Sequence, residues 1–598
     1  MVDFPFCNDH LPIIPRLSRR LDGSSSRDAK MRRNTLYVTP RRATPMIFRH
    51  RPTTFATSAC LAAFLLGAYL RFDQFFEQVL IDDEWHAVHQ LIESTPARIA
   101  TSFGHADYSI PLTLLYWFEA KYFGLSEVAM RWPMMLCGLT TLAVFPAFIW
   151  RQLGRREAAL FAFLLSLSPI LIIYSRTARP YAITLLVSYL ALYAFEAYRN
   201  RSIRAWGYGG LYGACAVLAT WLHPIVAPLV AAPCVLELFS ALGAPNDERK
   251  ARLQRLLGVG VPTALVMLGL VLPPLLGDPE AITGKAGMDL PTLDTLAGAG
   301  SIWFGTGSWA ALAIAVFLSI LGWKRLWQEL PISRSVIAGI AMITGLIFLS
   351  RPAWIHHPLT FGRYLLPLLP LLLLSVALGT IRLIDKLITS GKQSWRRLAP
   401  ALLVFPPLLL TVQSPVFAML HHPNSYTLHT LYQFDFRPGH NAIRKHFDTF
   451  TQSDYWLRLR ALPVNNMYIA VAPWFFESYD WPAPRWERTG KQRVIPGFLT
   501  GFCLPQRRGE PLQDDRFKFQ NGVFLNEVKQ AKRIDVLIFQ KPYIPRPGVS
   551  TNYTNEKIPA ICASKLIAEL GEPDYEDDTI FVFLLSPAAR AAFHAQRE

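Results

Sequence analysis

Long apolar runs separated by short polar stretches fill the first two-thirds of the chain. Eleven of them (54–72, 128–150, 157–174, 180–198, 206–222, 224–241, 256–277, 302–322, 335–350, 364–381 and 398–416) approach the ~20 residues a helix needs to cross ~30 Å of hydrocarbon. A twelfth run, Pro111–Gly124, has only fourteen residues and suits an interfacial or re-entrant helix. Beyond Pro415 the pattern changes. Residues 417–598 are mixed and polar, with short strand-like runs at Met467–Ala472, Ile534–Gln540 and Ile580–Leu585 between Pro/Gly-rich turns. The pattern predicts an α-helical polytopic membrane protein of about eleven transmembrane helices over 51–416, with a small α/β or α+β domain over 417–598. Residues 1–50, rich in Arg, Ser and Pro, are expected to be a disordered basic tail.

Charge orients this pattern. Eleven Lys/Arg precede the first apolar run. With that tail placed in the cytoplasm, the loops on its side hold eighteen basic residues and the opposite loops hold eight. This is the distribution of a chain with its N-terminus inside and its C-terminal domain outside, in the inner (plasma) membrane. Reading Pro111–Gly124 as a span would move the Arg151, Arg155 and Arg156 cluster outside, so the first outer loop, 73–127, is expected to be long and structured. The net charge of +17 lies in the tail and in these loops, so it forms no groove for nucleic acid. Composition agrees with lipid as the main solvent: 52% of residues are hydrophobic and 17% charged, against about 25% charged in a typical soluble domain.

Three clusters fall in the outer loops, where charge beside hydrocarbon needs a reason. Asp82-Asp83-Glu84 follows the first span; one of these carboxylates can take a proton from an acceptor, and the others would raise its proton affinity. It also reads as a solvated acidic helix start. Ser175-Arg176-Thr-Ala-Arg179-Pro-Tyr181 places two guanidinium forks outside, suited to phosphate oxygens or to snorkelling. Phe361-Gly-Arg363-Tyr364-Leu-Leu-Pro367 places another arginine at the boundary. His356 and His357 precede it without a third ligand at useful spacing, and no Cys/His zinc spacing occurs. No cofactor is assigned, and a divalent metal stays open. Converging on one extracytoplasmic site, carboxylates and arginines would suit a phosphate-activated lipid donor.

These stretches, in order, resemble the GT-C glycosyltransferases that use polyprenyl-phosphate sugars, in the branch of the protein O-mannosyltransferases and lipid A aminoarabinose transferases. Asp83-Glu84 resembles the group's first-loop Asp-Glu motif. Ser175–Tyr181 resembles its Ser-Arg-x-x-Arg-Pro-Tyr segment, and Arg363–Pro367 its Arg-Tyr-Leu-x-Pro segment. Phe123-Gly124 through Arg131-Trp132-Pro133 resembles its entry to the second span. The resemblance covers roughly 55–420. It implies transfer of a sugar from an undecaprenyl- or dolichyl-phosphate donor, with Asp83 as base, Glu84 beside it, and Arg179 and Arg363 on the phosphate. Asp82, Arg176, Tyr181 and Tyr364 join as substrate-binding candidates. Where the family often carries His-Pro-Pro or Lys-Pro-Pro, this chain reads His105-Ala-Asp107-Tyr-Ser-Ile-Pro111, so His105 and Asp107 enter as acceptor-side candidates. The implied partners are the lipid donor, membrane lipid and an acceptor that the sequence does not name. A transporter or flippase of a lipid-linked or anionic substrate, and a non-catalytic envelope scaffold, are the competing readings.

Overall fold

The computed structural model describes most of residues 53–411 and, beyond them, mainly 453–472, 489–500, 516–524, 534–541 and 557–595. The basic tail, Asp82, Asp83, His105, Asp107 and Cys503 lie outside the described residues.

The apolar runs become helices. In chain order they are α1 (Thr53–Phe72), α2 (Trp85–Glu93), α3 (Pro96–Thr101), α4 (Ile110–Tyr122), α5 (Glu127–Gln152), α6 (Arg155–Leu167), α7 (Pro169–Tyr174), α8 (Tyr181–Asn200), α9 (Ala205–Leu222), α10 (Ala227–Leu242), α11 (Asn246–Gly277), α12 (Leu293–Phe304), α13 (Trp309–Glu329), α14 (Ile332–Ser350), α15 (Pro358–Tyr364), α16 (Leu369–Thr389) and α17 (Gln393–Leu409). Seven segments, Glu127–Gln152, Tyr181–Asn200, Pro224–Leu242, Asn246–Gly277, Trp309–Glu329, Ile332–Ser350 and Leu366–Thr389, are long and apolar enough to cross a membrane by length and composition. The remaining apolar runs give shorter or interrupted helices: Pro169 divides α6 from α7, and α17 has 17 residues. The chain is a multi-pass membrane protein, with seven spans meeting the strict measure against about eleven expected.

Local chemistry sets the boundaries. The Ser126 hydroxyl accepts from Ala129 N at 3.2 Å and starts α5. Pro133 and Pro146 then sit inside that helix, as membrane helices tolerate. The run 302–322 does not form one helix, as the sequence had predicted. Gly305 takes φ +63° and ends α12, and the Ser308 hydroxyl opens α13 by accepting from Ala311 N. The expected short helix is α4, thirteen residues long.

Helices α13 and α16 pack backbone against backbone. A Cβ on Gly322 would meet the Ser375 carbonyl, and one on Gly379 the Leu318 carbonyl, both inside van der Waals contact. Ser319 and Ser375 share a hydrogen bond across the same seam. Small residues and a polar pair are what bring helices together where lipid removes the hydrophobic drive.

Ion pairs and loop contacts separate two ends of the bundle. At one end Arg156 pairs with Asp385 (3.1 Å), Arg325 with Glu157 (2.8 Å) and Arg252 with Glu237 (2.7 Å). These are the loops in which the sequence concentrates its basic residues. At the other end Gln78 and Glu84 meet the 175–180 turn, and His223 lies against Tyr364.

The C-terminal residues supply a mixed sheet. Its strands are β1 (Tyr468–Ala472), β2 (Arg493–Pro496), β5 (Val536–Gln540), β6 (Tyr575–Glu576) and β7 (Ile580–Leu584), in the order β2-β1-β5-β7-β6. The first three are parallel, and β7 runs antiparallel to both β5 and β6. Strands β3 (Phe498–Thr500) and β4 (Gly522–Phe524) form a separate parallel pair. Helices α18 (Tyr455–Arg460), α19 (Lys557–Leu570) and α20 (Pro587–His594) accompany the sheet. All five residues of β5 are buried, as an inner strand requires. Leu125, between α4 and α5, donates its N–H to Arg516 O and accepts from Lys518 N, both at 2.7 Å, so this part of the chain touches the bundle.

Candidate active site

A buried carboxylate organises the loop end. Glu84 precedes α2 and is 1% exposed. Its Oε1 accepts from Arg131 Nε at 2.8 Å and its Oε2 from Arg131 Nη2 at 2.5 Å. Oε1 also accepts from the backbone N–H of Ala178 at 2.6 Å. Arg131 lies in the first turns of α5 and also reaches the Gln78 carbonyl. Glu84 thus ties three elements that are distant in sequence: the first loop, α5 and the 175–181 turn. A fork-to-fork pair of this kind fixes geometry as well as charge. The covalent neighbours of the Glu84–Ala178 contact are Asp83 and Arg179.

Arg176 is fully buried and braces the same turn. Its Nε donates to Gln78 Oε1 (3.2 Å) and its Nη1 to the carbonyls of Asp73 (2.5 Å) and Leu70 (3.4 Å). Arg71 Nε donates to Ser175 Oγ at 3.1 Å. Of the two arginines in the turn, Arg176 is therefore spent on the fold. Arg179 is partly exposed and follows the Glu84 contact.

Arg179, Tyr181, Arg363 and Tyr364 gather around His223, which occupies the turn between α9 and the next apolar helix. The Tyr181 and Tyr364 rings lie 5.3 and 5.9 Å from the His223 ring. The Arg363 guanidinium stands 5.9 Å from the Tyr181 ring and 5.8 Å from the Tyr364 ring. Burial, then the charges of Arg179 and Arg363, push the imidazole down to about 3, so it is neutral at pH 7. Its Nδ1 has no hydrogen-bond partner among the described residues. A cavity of about 10 Å³ opens between Tyr181, His223, Arg363 and Tyr364, room for one water. The cluster offers two guanidinium groups, two phenols and a neutral imidazole, which is a donor-rich setting for an oxyanion.

One further carboxylate lies at this end. Glu119 on α4 is raised to about 7 by burial, and its Oε2 has no hydrogen-bond partner among the described residues. The neighbouring Tyr116 hydroxyl donates to Met130 O at 2.9 Å.

The histidine pair is occupied otherwise. His356 Nδ1 lies 2.9 Å from Asp289 Oδ2, and His357 caps α15 by accepting from Leu359 N at 3.3 Å. No group of three metal-ligating side chains occurs among the described residues.

Sequence reasoning did not single out His223 or Arg131 as site residues. A lone histidine between two apolar runs carries no local signal. Arg131 was visible only as part of a family segment, and its fixed partner lies 47 positions away.

Residues 110–271 match a family described as dolichyl-phosphate-mannose-protein mannosyltransferase. No curated protein matches the chain significantly. Among solved structures, ArnT from Cupriavidus metallidurans in the apo state is 13% identical with a TM-score of 0.42, covering 90% of this chain and 99% of that one. The same protein bound to undecaprenyl phosphate is 12% identical, with the same TM-score and coverage. Likeness at that level assigns no role to individual residues. The family match spans α4 to α11 and so includes Arg131, the Ser175–Tyr181 turn and His223. Over residues 110–271 the chain therefore carries the sequence pattern of the dolichyl-phosphate-mannose-protein mannosyltransferases, and its resemblance to the GT-C glycosyltransferases holds.

Proposed function

We propose that this protein is a membrane glycosyltransferase that moves a sugar from a polyprenyl-phosphate donor to an acceptor on the extracytoplasmic side. The observation that carries the reading is the convergence of Arg179 and Arg363, from separate loops, on His223 and the tyrosine pair at one end of the bundle. The basic loops at the opposite end support placing this end outside.

In the proposed reaction an acceptor oxygen attacks the anomeric carbon and its proton passes to the Asp83 carboxylate. The bond from the anomeric carbon to phosphate oxygen breaks, and polyprenyl phosphate leaves with one more negative charge than it carried in the donor. Arg179 and Arg363 stabilise that growing charge, with Tyr181 and Tyr364 orienting the guanidinium of Arg363. Attack opposite the leaving group inverts the anomeric centre. Glu84 acts as a positioning residue: its oxygens are engaged by Arg131 and Ala178, so it fixes the start of α2 against the 175–181 turn. Arg176 and Arg131 brace the same turn.

The experiment is incubation of the purified protein in lipid with radiolabelled undecaprenyl- and dolichyl-phosphate sugars, beside Asp83→Asn. The expected result is release of sugar from one donor, lost in the variant while the protein remains inserted. Undiminished release by Asp83→Asn would remove Asp83 from the mechanism. Turnover of no donor would count against the transferase reading.

A further inference from the structure

The C-terminal residues contain a cavity of about 500 Å³, far larger than the one at His223, bounded by α18, the end of β7, the segment before β6 and the end of α20. Cavities of about 300–1,000 Å³ are the size that holds small ligands. Tyr455, Arg458, Asp574, Tyr575, Phe593 and His594 line it.

Its aromatic wall is packed ring on ring. The Tyr455 ring stacks on Phe593 at 5.2 Å and 16°, and lies 4.8 Å from the Tyr575 ring. The Arg458 guanidinium caps Tyr575 at 5.0 Å. Tyr575 is held in turn, its hydroxyl donating to Asp577 Oδ2 at 3.2 Å. Asp577 is anchored by the N–H groups of Thr579 (2.7 Å) and Ile580 (3.0 Å) and by Ser453 Oγ. The Asp574 carboxylate is fixed by Leu584 N at 2.6 Å. Tyr455 is 2% exposed, and its hydroxyl has no hydrogen-bond partner among the described residues. That hydroxyl is shielded from the cavity, so Tyr455 serves the wall through its ring stack.

The lining excludes several occupants. An acyl chain would gain nothing from Arg458, Asp574 and His594. A phosphate alone would meet the Asp574 carboxylate beside its cation. A ring with an apolar C–H face and a rim of hydroxyls, which both donate and accept, fits every group present. It lies against the aromatic rings, donates to Asp574, and accepts from Arg458. We propose that this cavity is a saccharide-binding site taking one or two pyranose rings, separate from the cluster around His223. The inference does not depend on the transferase reading, because it concerns binding alone.

The test is saturation-transfer difference NMR on the full-length protein in deuterated detergent. The probes are methyl α-mannopyranoside, maltotriose and trigalacturonic acid, with the tripeptide Gly-Tyr-Gly as the competing class. The expected result is transfer to the ring protons of at least one saccharide, abolished by Tyr575→Leu and by Arg458→Ala. Asp574→Asn keeps the side chain's shape and an acceptor for Leu584 N while removing the carboxylate that would accept from the saccharide. It should weaken binding by about two- to ten-fold, the value of one hydrogen bond, and so serves if the other variants fail to fold. Transfer to none of the saccharides, transfer to the tripeptide alone, or saccharide signals unchanged by Asp574→Asn would overturn the proposal.

Discussion

Arg131 and Glu84 provide a quantitative test of the frame beneath the candidate site. Both side chains are fully buried, and Glu84 accepts two hydrogen bonds from Arg131 and one from Ala178 N. Arg131→Met removes the guanidinium from a buried carboxylate and should cost about 3–5 kcal/mol. Glu84→Leu takes the carboxylate away from the buried guanidinium, with an expected cost of about 3–5 kcal/mol. The double variant Glu84→Leu/Arg131→Met removes both charges together. It should lie within about 2 kcal/mol of wild type, since replacing a whole buried pair is often nearly neutral. Unfolding in mixed micelles by titration with SDS, followed by tryptophan fluorescence, measures all four proteins and gives the coupling free energy. Single variants within about 1 kcal/mol of wild type, or a double variant equal to the sum of the singles, would refute the claim that this pair locks the first loop to the 175–181 turn.

Three further outcomes follow from the same structure. His223 sits at about 3, below its ordinary 6.5, so it adds stability above pH 6.5 that is lost as the pH falls toward 3; His223→Phe should flatten that acid limb in a stability–pH profile, and an unchanged limb would contradict the burial of a neutral imidazole. Glu119 is raised to about 7 from an ordinary 4.5, so its contribution is present below pH 4.5 and disappears as the pH rises through 7. Glu119→Gln should be relatively more stable than wild type at pH 8 than at pH 4.5, and the reverse order would show that the carboxyl is solvated. Gly379→Leu would drive a side chain into the Leu318 carbonyl and should lower the thermal midpoint sharply, whereas Gly260→Leu, in open space on α11, should leave it unchanged.

Much of this architecture is legible in the order of residues because lipid imposes one simple condition on helices, namely a long apolar run. The short α4 and the strand-forming runs at 468–472, 536–540 and 580–584 were readable for the same reason: length and alternation are local. The boundary near residue 305 was not, because Ile302 and Trp303 are as apolar as the helix that follows. Only the left-handed Gly305 and the Ser308 cap separate the two. The arginines of the 175–181 turn looked alike in sequence, and long-range partners divide them: Arg176 is consumed by Gln78, Leu70 and Asp73, while the charge of Arg179 acts on His223. Glu84 looked like one member of an acidic triplet until Arg131 and Ala178 gave it fixed partners. His223 was silent because its meaning comes entirely from neighbours on three other elements.

We propose that Arg179 and Arg363 form a phosphate site around His223. Its most direct measurement is the affinity of the purified protein in nanodiscs for undecaprenyl phosphate, read by native mass spectrometry, with undecaprenol as the uncharged control. Loss of one charged hydrogen-bond donor should weaken phosphate binding by about ten-fold or more in Arg179→Ala and in Arg363→Ala, and leave undecaprenol unaffected. Equal affinity for undecaprenyl phosphate in wild type and both variants would contradict the account.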